Sequence, residues 1–297
     1  MSAPRPSPLL KALARALETT TDTLRLTAVG GGCVSDTARV EGGSHPAFLK
    51  REPLANGWQL TAEAEGLETL SVGGGLLVPR PLARGETEEQ AWLLLEYLPL
   101  DHHHPSDTDW AAMGRALAAT HARTAEQHGW HRDNALGGTH QDNTPRQDWA
   151  DFFRDHRLRP QLALAARQGH GERLQERGER LLALLPTLLD HQPAPSLLHG
   201  DFWGGNAGFC RGQPATWDPA VHYGDRECDL AMAALFGGFG NGFWRAYEAE
   251  WPLPPGHPTR RDLYQLYHVL NHLNLFGGGY RGSALRLIDR LLDAARA

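Results

Sequence analysis

The sequence predicts an α+β protein of two lobes, an N-terminal antiparallel sheet carrying one helix and a larger, mostly helical C-terminal lobe. Three observations carry this expectation. Between Leu24 and Leu98 short apolar runs alternate with Gly-rich or polar turns, and only residues 60–71 change to helical spacing. The stretch Pro99 to Asp109 is rich in His, Pro and Asp and reads as a linker. Beyond it, apolar residues recur every three to four positions in several runs, interrupted by one loop-like stretch at 196–218. The lobes are therefore expected at 1–98 and 99–297, a division that suits domains of ~100–200 residues.

Taken in order, Leu10, Leu13, Ala14 and Leu17 predict an amphipathic packing helix over 8–18. From Leu24 the pattern is strand, Gly-rich turn at Val29–Asp36, strand, turn at Gly42-Gly43-Ser44, and a strand from Ala47 that ends at Lys50. Leu60, Ala64, Leu67 and Leu70 predict a helix with Glu63 and Glu65 on its other faces, ended by Gly73-Gly74-Gly75. A polar turn at 86–90 then precedes a strand from Ala91 to Leu98. Past the linker, Trp110, Met113, Leu117 and His121 stripe a helix over 109–121 that Asp107 or Thr108 would cap. Residues 129–148 read as a long loop, of a length that is usually functional or disordered, and Leu181–Leu189, Leu263–Leu275 and Leu285–Leu292 as further helices.

Composition narrows the partners. A net charge of -6 carries no basic footprint for nucleic acid or an anionic membrane, and no apolar run approaches a membrane span. The N-terminal run lacks the uninterrupted apolar core of a signal peptide. Cys33, Cys210 and Cys228 are too few and too scattered for a disulfide framework or a zinc site, so a reducing cytoplasm is expected. The expected partner is a small molecule.

The chemistry concentrates in Ser196-Leu-Leu-His-Gly-Asp-Phe-Trp-Gly-Gly-Asn206 and in Asp218 behind the strand-like Ala215-Thr216-Trp217. Phosphoryl transfer needs a carboxylate for the acceptor hydroxyl's proton and oxygen ligands for the Mg²⁺ that bridges the phosphates. Asp201 suits the first role; Asn206, five residues on, and Asp218, twelve further, suit the second. The spacing is that of the kinase catalytic loop and metal aspartate, with Gly200 for Arg and Pro219 for Phe. Asp or Asn in a Gly-rich loop is usually a turn or cap residue. Three such oxygens in this order, with His199 and Gly200 beside them, favour chemistry.

The nucleotide half lies upstream. Gly30, Gly31, Gly32 and Ser35 sit between strands, where consecutive glycines let backbone amides approach a triphosphate. A phosphate loop of the G-x-x-x-x-G-K-[ST] type is absent. Lys50 is one of two lysines in a chain with 29 basic residues, so a compact point charge is expected where an Arg fork will not serve. Glu63 is its expected partner, ahead of Glu65. Glu96, Tyr97 and Leu98 would supply backbone to the adenine.

These residues resemble the fructosamine kinase family, the ketosamine kinases, and more distantly aminoglycoside phosphotransferases and choline kinases. The likeness spans nearly the whole chain and is most specific at 197–206, Asp218–Gly224, Glu227–Met232 and Leu235–Phe239. It extends to Gly129–Asn134, Asp148-Trp149, Phe152-Phe153 and Tyr264–His272. The resemblance implies a bilobal protein-kinase-like fold using ATP and Mg²⁺ to phosphorylate the third-carbon hydroxyl of a ketosamine, free or protein-linked, whose product then releases the amine. It implies Asp201 as base, Asn206 and Asp218 as metal ligands, and Lys50 with Glu63 as phosphate clamp. On the substrate side it implies Trp203, His272, Asn274 and Tyr280. With the hydroxyl at Asp201 and the sugar near Trp203, the amine portion is expected to project outwards through the region lined by residues 129–148 and the C-terminal helices. Asp229 matches a family aspartate whose alternative role is to brace the catalytic loop. Cys33, amid phosphate-binding amides that favour a thiolate, is a candidate redox site. His102-His103-His104 departs from the family and reads as a solvated linker. The rivals are an aminoglycoside or choline phosphotransferase of the same fold and a nucleotide-binding pseudokinase.

Overall fold

The computed structural model describes residues 7–30, 36–72 and 75–296. Helix α1, Pro8–Ala16, begins where the Ser7 hydroxyl accepts from the Leu10 amide, with Pro8 in the first turn where no amide hydrogen is needed. It is followed by β1 (Arg25–Ala28), β2 (Asp36–Glu41), β3 (Ala47–Pro53), α2 (Gly57–Ser71), β4 (Pro81–Glu86) and β5 (Gln90–Glu96). The five strands form one antiparallel sheet in the order β1-β2-β3-β5-β4.

The two-residue period of a strand decides what each face of this sheet carries. Ala47 and Leu49 of β3 and Trp92 and Leu94 of β5 pack with Leu9, Leu13 and Ala14 of α1. Phe48, Ala91, Leu93 and Leu95 pack on the other face with Leu60, Leu67 and Leu70 of α2. Lys50 does not end its strand as the sequence reading had it. It pairs with Thr37 and Leu93 in mid-strand, because Arg51 and Glu52 continue the ladder against Trp92 and Ala91. By parity with Phe48 its side chain points to the α2 face.

The C-terminal part begins with α3 (Asp107–His121), capped by Ser106 in a reciprocal box with Asp109 and not by Asp107 or Thr108. The linker histidines 102–104 are exposed. Strands β6 (Asn134–Leu136) and β7 (Thr139–Gln141) follow, then α4 (Trp149–Phe153), a π-helical turn over 154–158, α5 (Arg159–Arg167) and α6 (Glu172–Leu188). Strand β8 (Ser196–Leu198) leads to the hairpin β9 (Ala207–Cys210) and β10 (Gln213–Thr216), and β11 (His222–Gly224) returns to pair with β8. Helices α7 (Glu227–Phe236), α8 (Asn241–Glu250), α9 (His257–Phe276) and α10 (Arg281–Ala294) complete the chain.

Residues 129–148 are therefore not one long loop as expected, since β6 and β7 lie within them. Asn134, Gln141 and Asn143 within them are buried, since their amides hydrogen-bond to one another and to backbone next to β11. The main C-terminal core gathers Phe152, Phe153, Leu162, Leu181, Leu185, Leu263, Leu270 and Ile288 from α4, α5, α6, α9 and α10. The two halves also share apolar packing, with Trp130, Leu197 and Val221 joining the cluster beneath α2. Among the described residues no helix is long and apolar enough to cross a membrane.

This core encloses titratable rings. Burial holds His128 down to about 4 and His222 and His268 down to about 3. The unfolded chain takes up protons near 6.5 while the folded one does not, so stability is lost as pH falls from 6.5 toward 3. At pH 5 the cost approaches ~2 kcal/mol for each of His222 and His268. The melting temperature is expected to drop by roughly 5–15 °C between pH 7 and pH 5, and less steeply in His268→Gln. A Tm independent of pH over this range would contradict it.

Candidate active site

Buried Leu197 and Leu198 fix β8, and the chain leaves that strand at His199 into the loop that bears Asp201. Two side chains tie the loop in place, Asp229 and His199. Asp229, at the start of α7, accepts from the His199 amide (2.7 Å) and the Gly200 amide (2.8 Å). The oxygen that accepts from His199, Oδ2, also meets His121 of α3 at 3.1 Å. Burial alone would raise the Asp229 carboxyl, but His121 and the Gly200 amide override it and keep it ionised. The His199 ring accepts from the Asp201 amide at Nδ1 (3.2 Å) and donates from Nε2 to the Trp217 carbonyl (3.0 Å), so it is neutral and ties the two acidic segments together. Gly200 has φ +83, and a Cβ there would stand 2.1 Å from the Ala220 carbonyl oxygen. This is why Gly occupies that position.

Asn206 lies behind Asp201 and donates from Nδ2 to its carboxylate at 2.9 Å and to its carbonyl at 3.1 Å. That leaves Oδ1 as the atom the amide can offer a cation. Burial and the nearby Asp218 charge push the Asp201 carboxyl up to about 7, against the Asn206 hydrogen bond. Asp218 adopts φ +54, a left-handed conformation that Asp tolerates better than most residues, and its side chain is 44% exposed. One of its oxygens lies 2.5 Å from Lys50 Nζ, whose other partner is Glu63 at 2.5 Å. Burial disfavours the Lys50 ammonium, but Asp218 and Glu63 outweigh it and keep it charged. Glu63 belongs to the sheet-facing stripe of α2 with Leu60 and Leu67, not to another face as the apolar pattern implied. A helix places i, i+3 and i+7 on one side, and only a buried cation makes a carboxylate acceptable there. Glu65 instead meets His131 and Arg132, each at 2.9 Å.

The structure thus brings Lys50, Glu63, Asn206, Asp201 and Asp218 together. The other expected residues are placed as follows. Gly30 is exposed, two residues past β1. Gly31, Gly32, Cys33 and Ser35 lie outside the described residues. At the end of β5 the Glu96 amide donates to the Arg80 carbonyl (2.8 Å), Arg39 lies over the Tyr97 ring, and Leu98 is half-buried. Trp203 meets Phe236 at 5.7 Å, and Phe236 meets His272 at 5.1 Å, which meets Tyr280 at 5.2 Å. This aromatic row starts two residues from Asp201. Asn274 is not part of it: its amide donates to the Gln161 carbonyl (3.0 Å) and side chain (2.6 Å) on α5. Two residues past His272, it is turned 200° around α9.

Sequence reasoning missed Phe236 and His121. Phe236 is 46% exposed at the end of α7, where an unburied aromatic before Gly237-Gly238 was the available signal. His121 looked like one more apolar-stripe residue. A second carboxylate cluster, His191, Asp225 and Glu227, is already supplied with donors. His191 and Tyr264 reach Asp225 at 2.6 Å, and Arg260 forks onto Glu227 at 2.7 and 2.9 Å. That pairing makes it a packing network between α9 and the start of α7.

A sequence profile described as fructosamine kinase matches residues 8–294. The "Probable ketoamine kinase" of Synechocystis is 41% identical over 268 residues, covering 89% of each chain. A chloroplastic protein-ribulosamine 3-kinase of Arabidopsis thaliana is 35% identical over 93% of this chain and 85% of its own. A solved structure from Thermobifida fusca, named as a fructosamine-3-kinase, superposes with a TM-score of 0.84 at 32% identity over 96% of this chain and 99% of that one. Aminoglycoside phosphotransferase APH(4)-Ia, at 16% identity over 98% of this chain and 100% of that one, shares the fold with a TM-score of 0.65.

Proposed function

This chain belongs to the fructosamine kinase family, and from that premise we propose that it is an ATP-dependent kinase of the 3-hydroxyl of ketosamines, fructosamines or ribulosamines. The observation that carries the reading is the convergence at one site of Asp201, braced and raised toward neutrality, with the Lys50–Glu63–Asp218 ion triad. We assign Asp201 as the base that takes the acceptor hydroxyl's proton. Lys50, oriented by Glu63, reaches the nucleotide phosphates as a point charge. We assign residues 1–98 as the nucleotide lobe, with Glu96–Leu98 at the adenine; Gly31, Gly32 and Ser35, expected at the phosphates, lie outside the described residues. Residues 99–297 carry the acceptor.

The donor set fits Mg²⁺. Asp218 offers an exposed carboxylate and Asn206 an amide oxygen whose nitrogen already has its partners, both hard ligands. Bound there, MgATP would supply the transferable phosphoryl group and the charge that stabilises its transfer. Trp203, Phe236, His272 and Tyr280 offer ring faces to the sugar and its amine, and a secondary ammonium is attracted to such faces. Asn274 is left with its helix-packing role. Of the two walls expected for the amine, residues 129–148 and the C-terminal helices, we assign it to the helices that carry the aromatic row. The described thiols, Cys210 and Cys228, are buried and unpaired, which supports a reducing compartment such as the cytoplasm.

The test is a panel of ribulosamine and fructosamine derivatives of lysine, aminoglycosides and choline, scored by ADP release and by the position of the added phosphate. Turnover of the ketosamines is expected, ribulosamine ahead of fructosamine, followed by spontaneous release of amine. Turnover confined to aminoglycosides or choline would replace the substrate class, and nucleotide binding without turnover of any acceptor would favour the pseudokinase.

A further inference from the structure

The segment from Gly129 to Asn143 touches, from opposite ends, the elements that carry the two carboxylate partners of Lys50. Toward α2, His131 and Arg132 hold Glu65 at 2.9 Å each, and His140 packs on Trp58 in the first turn of the helix with ring centroids 5.6 Å apart. Nearby, Arg123 donates to the Thr69 carbonyl in the last turn (2.7 Å), so α2 is held along its whole length. Toward the Asp218 loop, Gly129 and Tyr223 exchange both backbone hydrogen bonds at 2.8 Å. Asn134 donates to the Val221 carbonyl (2.7 Å) and Gln141 to the Ala220 carbonyl (3.4 Å). Trp130, 6% exposed, fills the space between with Leu60, Leu67, Leu197 and Val221.

Behind the segment stands a buried cation. Arg157, 1% exposed and delivered by the π-helical turn, donates to Asn143 (2.6 Å), Asn143 to Asn134 (3.0 Å), and Asn134 to Val221. Each member donates onward, so the guanidinium polarises the whole chain toward a carbonyl three residues past Asp218, and such chains strengthen their own links. Glu65 and Glu63 are two residues apart, about 200° around one helix. Fixing Glu65 from outside therefore sets the rotation at which Glu63 meets Lys50.

We propose that residues 129–143 act as a strut that seats α2 and residues 218–221 together, so that Glu63 and Asp218 reach Lys50 at the same time. Glu65, Arg132 and Asn134 are its positioning residues, and none of them touches substrate. The strut rests on the kinase reading only in that Lys50 and Asp218 bind the nucleotide, whatever the acceptor.

The test combines two measurements on the full chain. In the protein without nucleotide, Glu65→Ala is expected to speed hydrogen–deuterium exchange of amides in 219–224, across the strut, and to leave β1 and β2 unchanged. Titrated with MgADP, the same variant should lose affinity ~3–10-fold, Glu65→Gln should recover most of it, and the loss should vanish in a Lys50→Met background, since residues acting through one group are not additive. Unaltered exchange in 219–224, or an equal loss of affinity with and without Lys50, overturns the strut. Neither outcome depends on ketosamine turnover, so failure of the substrate class is read separately in the acceptor panel.

Discussion

Asp201→Asn is expected to lower turnover ~10²–10⁴-fold, the range for a positioned general base, while MgADP affinity stays close to that of the native chain. The substitution is nearly isosteric. The loop would keep its shape, because the Asn206 amide can donate to an Asn oxygen as it does to the Asp201 carboxylate, and because the ties from Asp229 reach only the backbone of His199 and Gly200. What is lost is the proton acceptor. Steady-state kinetics on the best ketosamine, beside an equilibrium titration of nucleotide, separates the two. Undiminished kcat would remove Asp201 from the mechanism, and a matching loss of nucleotide affinity would recast it as a binding residue.

Asp218→Asn should act on the other axis. It removes a charged ligand from a hard cation and also the foremost stabiliser of the Lys50 ammonium. Half-saturation by Mg²⁺ in the presence of nucleotide should rise at least by the ~10–100-fold that loss of an outer partner costs a metal site. Turnover should fall with it. The fold should survive, since the side chain is 44% exposed and Asn accepts the left-handed backbone that Asp218 adopts. The experiment is a Mg²⁺ titration of nucleotide binding with thermal melts alongside. A superimposable titration would take Asp218 out of the metal site, and a collapsed melt would show that its main work is structural.

Much of this was legible in the chain. The period-two runs and Gly turns between Leu24 and Leu98 announced the sheet, and the helical spacing of 60–71 announced α2, because both periods are local properties of the backbone. Spacing also picked out Asp201, Asn206 and Asp218, since a short loop can offer three oxygens only at restricted separations. Where expectation and structure part, the cause is non-local. Lys50 seemed to end a strand because the polar Arg51 and Glu52 broke the apolar run, yet their backbones pair with β5 whatever their side chains. Residues 129–148 seemed a loop because Asn, Asp and Gly favour turns, but Asn134, Gln141 and Asn143 are buried by partners near Ala220 and Val221, which lie 79 and 87 residues away from Gln141 and Asn134. Asn274 faces α5 and not the row of His272 and Tyr280, and only the position of α5 reveals that.

By itself the sequence determined the order of sheet and helical parts, the residue types of the 199–206 loop and the single candidate lysine, since all three are set by local period, loop length and composition. Only the tertiary structure decided which carboxylates meet that lysine. Lys50 and Asp218 are 168 residues apart and approach to 2.5 Å because the α2 face of the sheet and the β8–β11 pair close on one apolar cluster. No local rule encodes that distance; burial of Leu60, Leu67, Trp130, Leu197 and Val221 against one another enforces it, and the buried charges then hold its geometry.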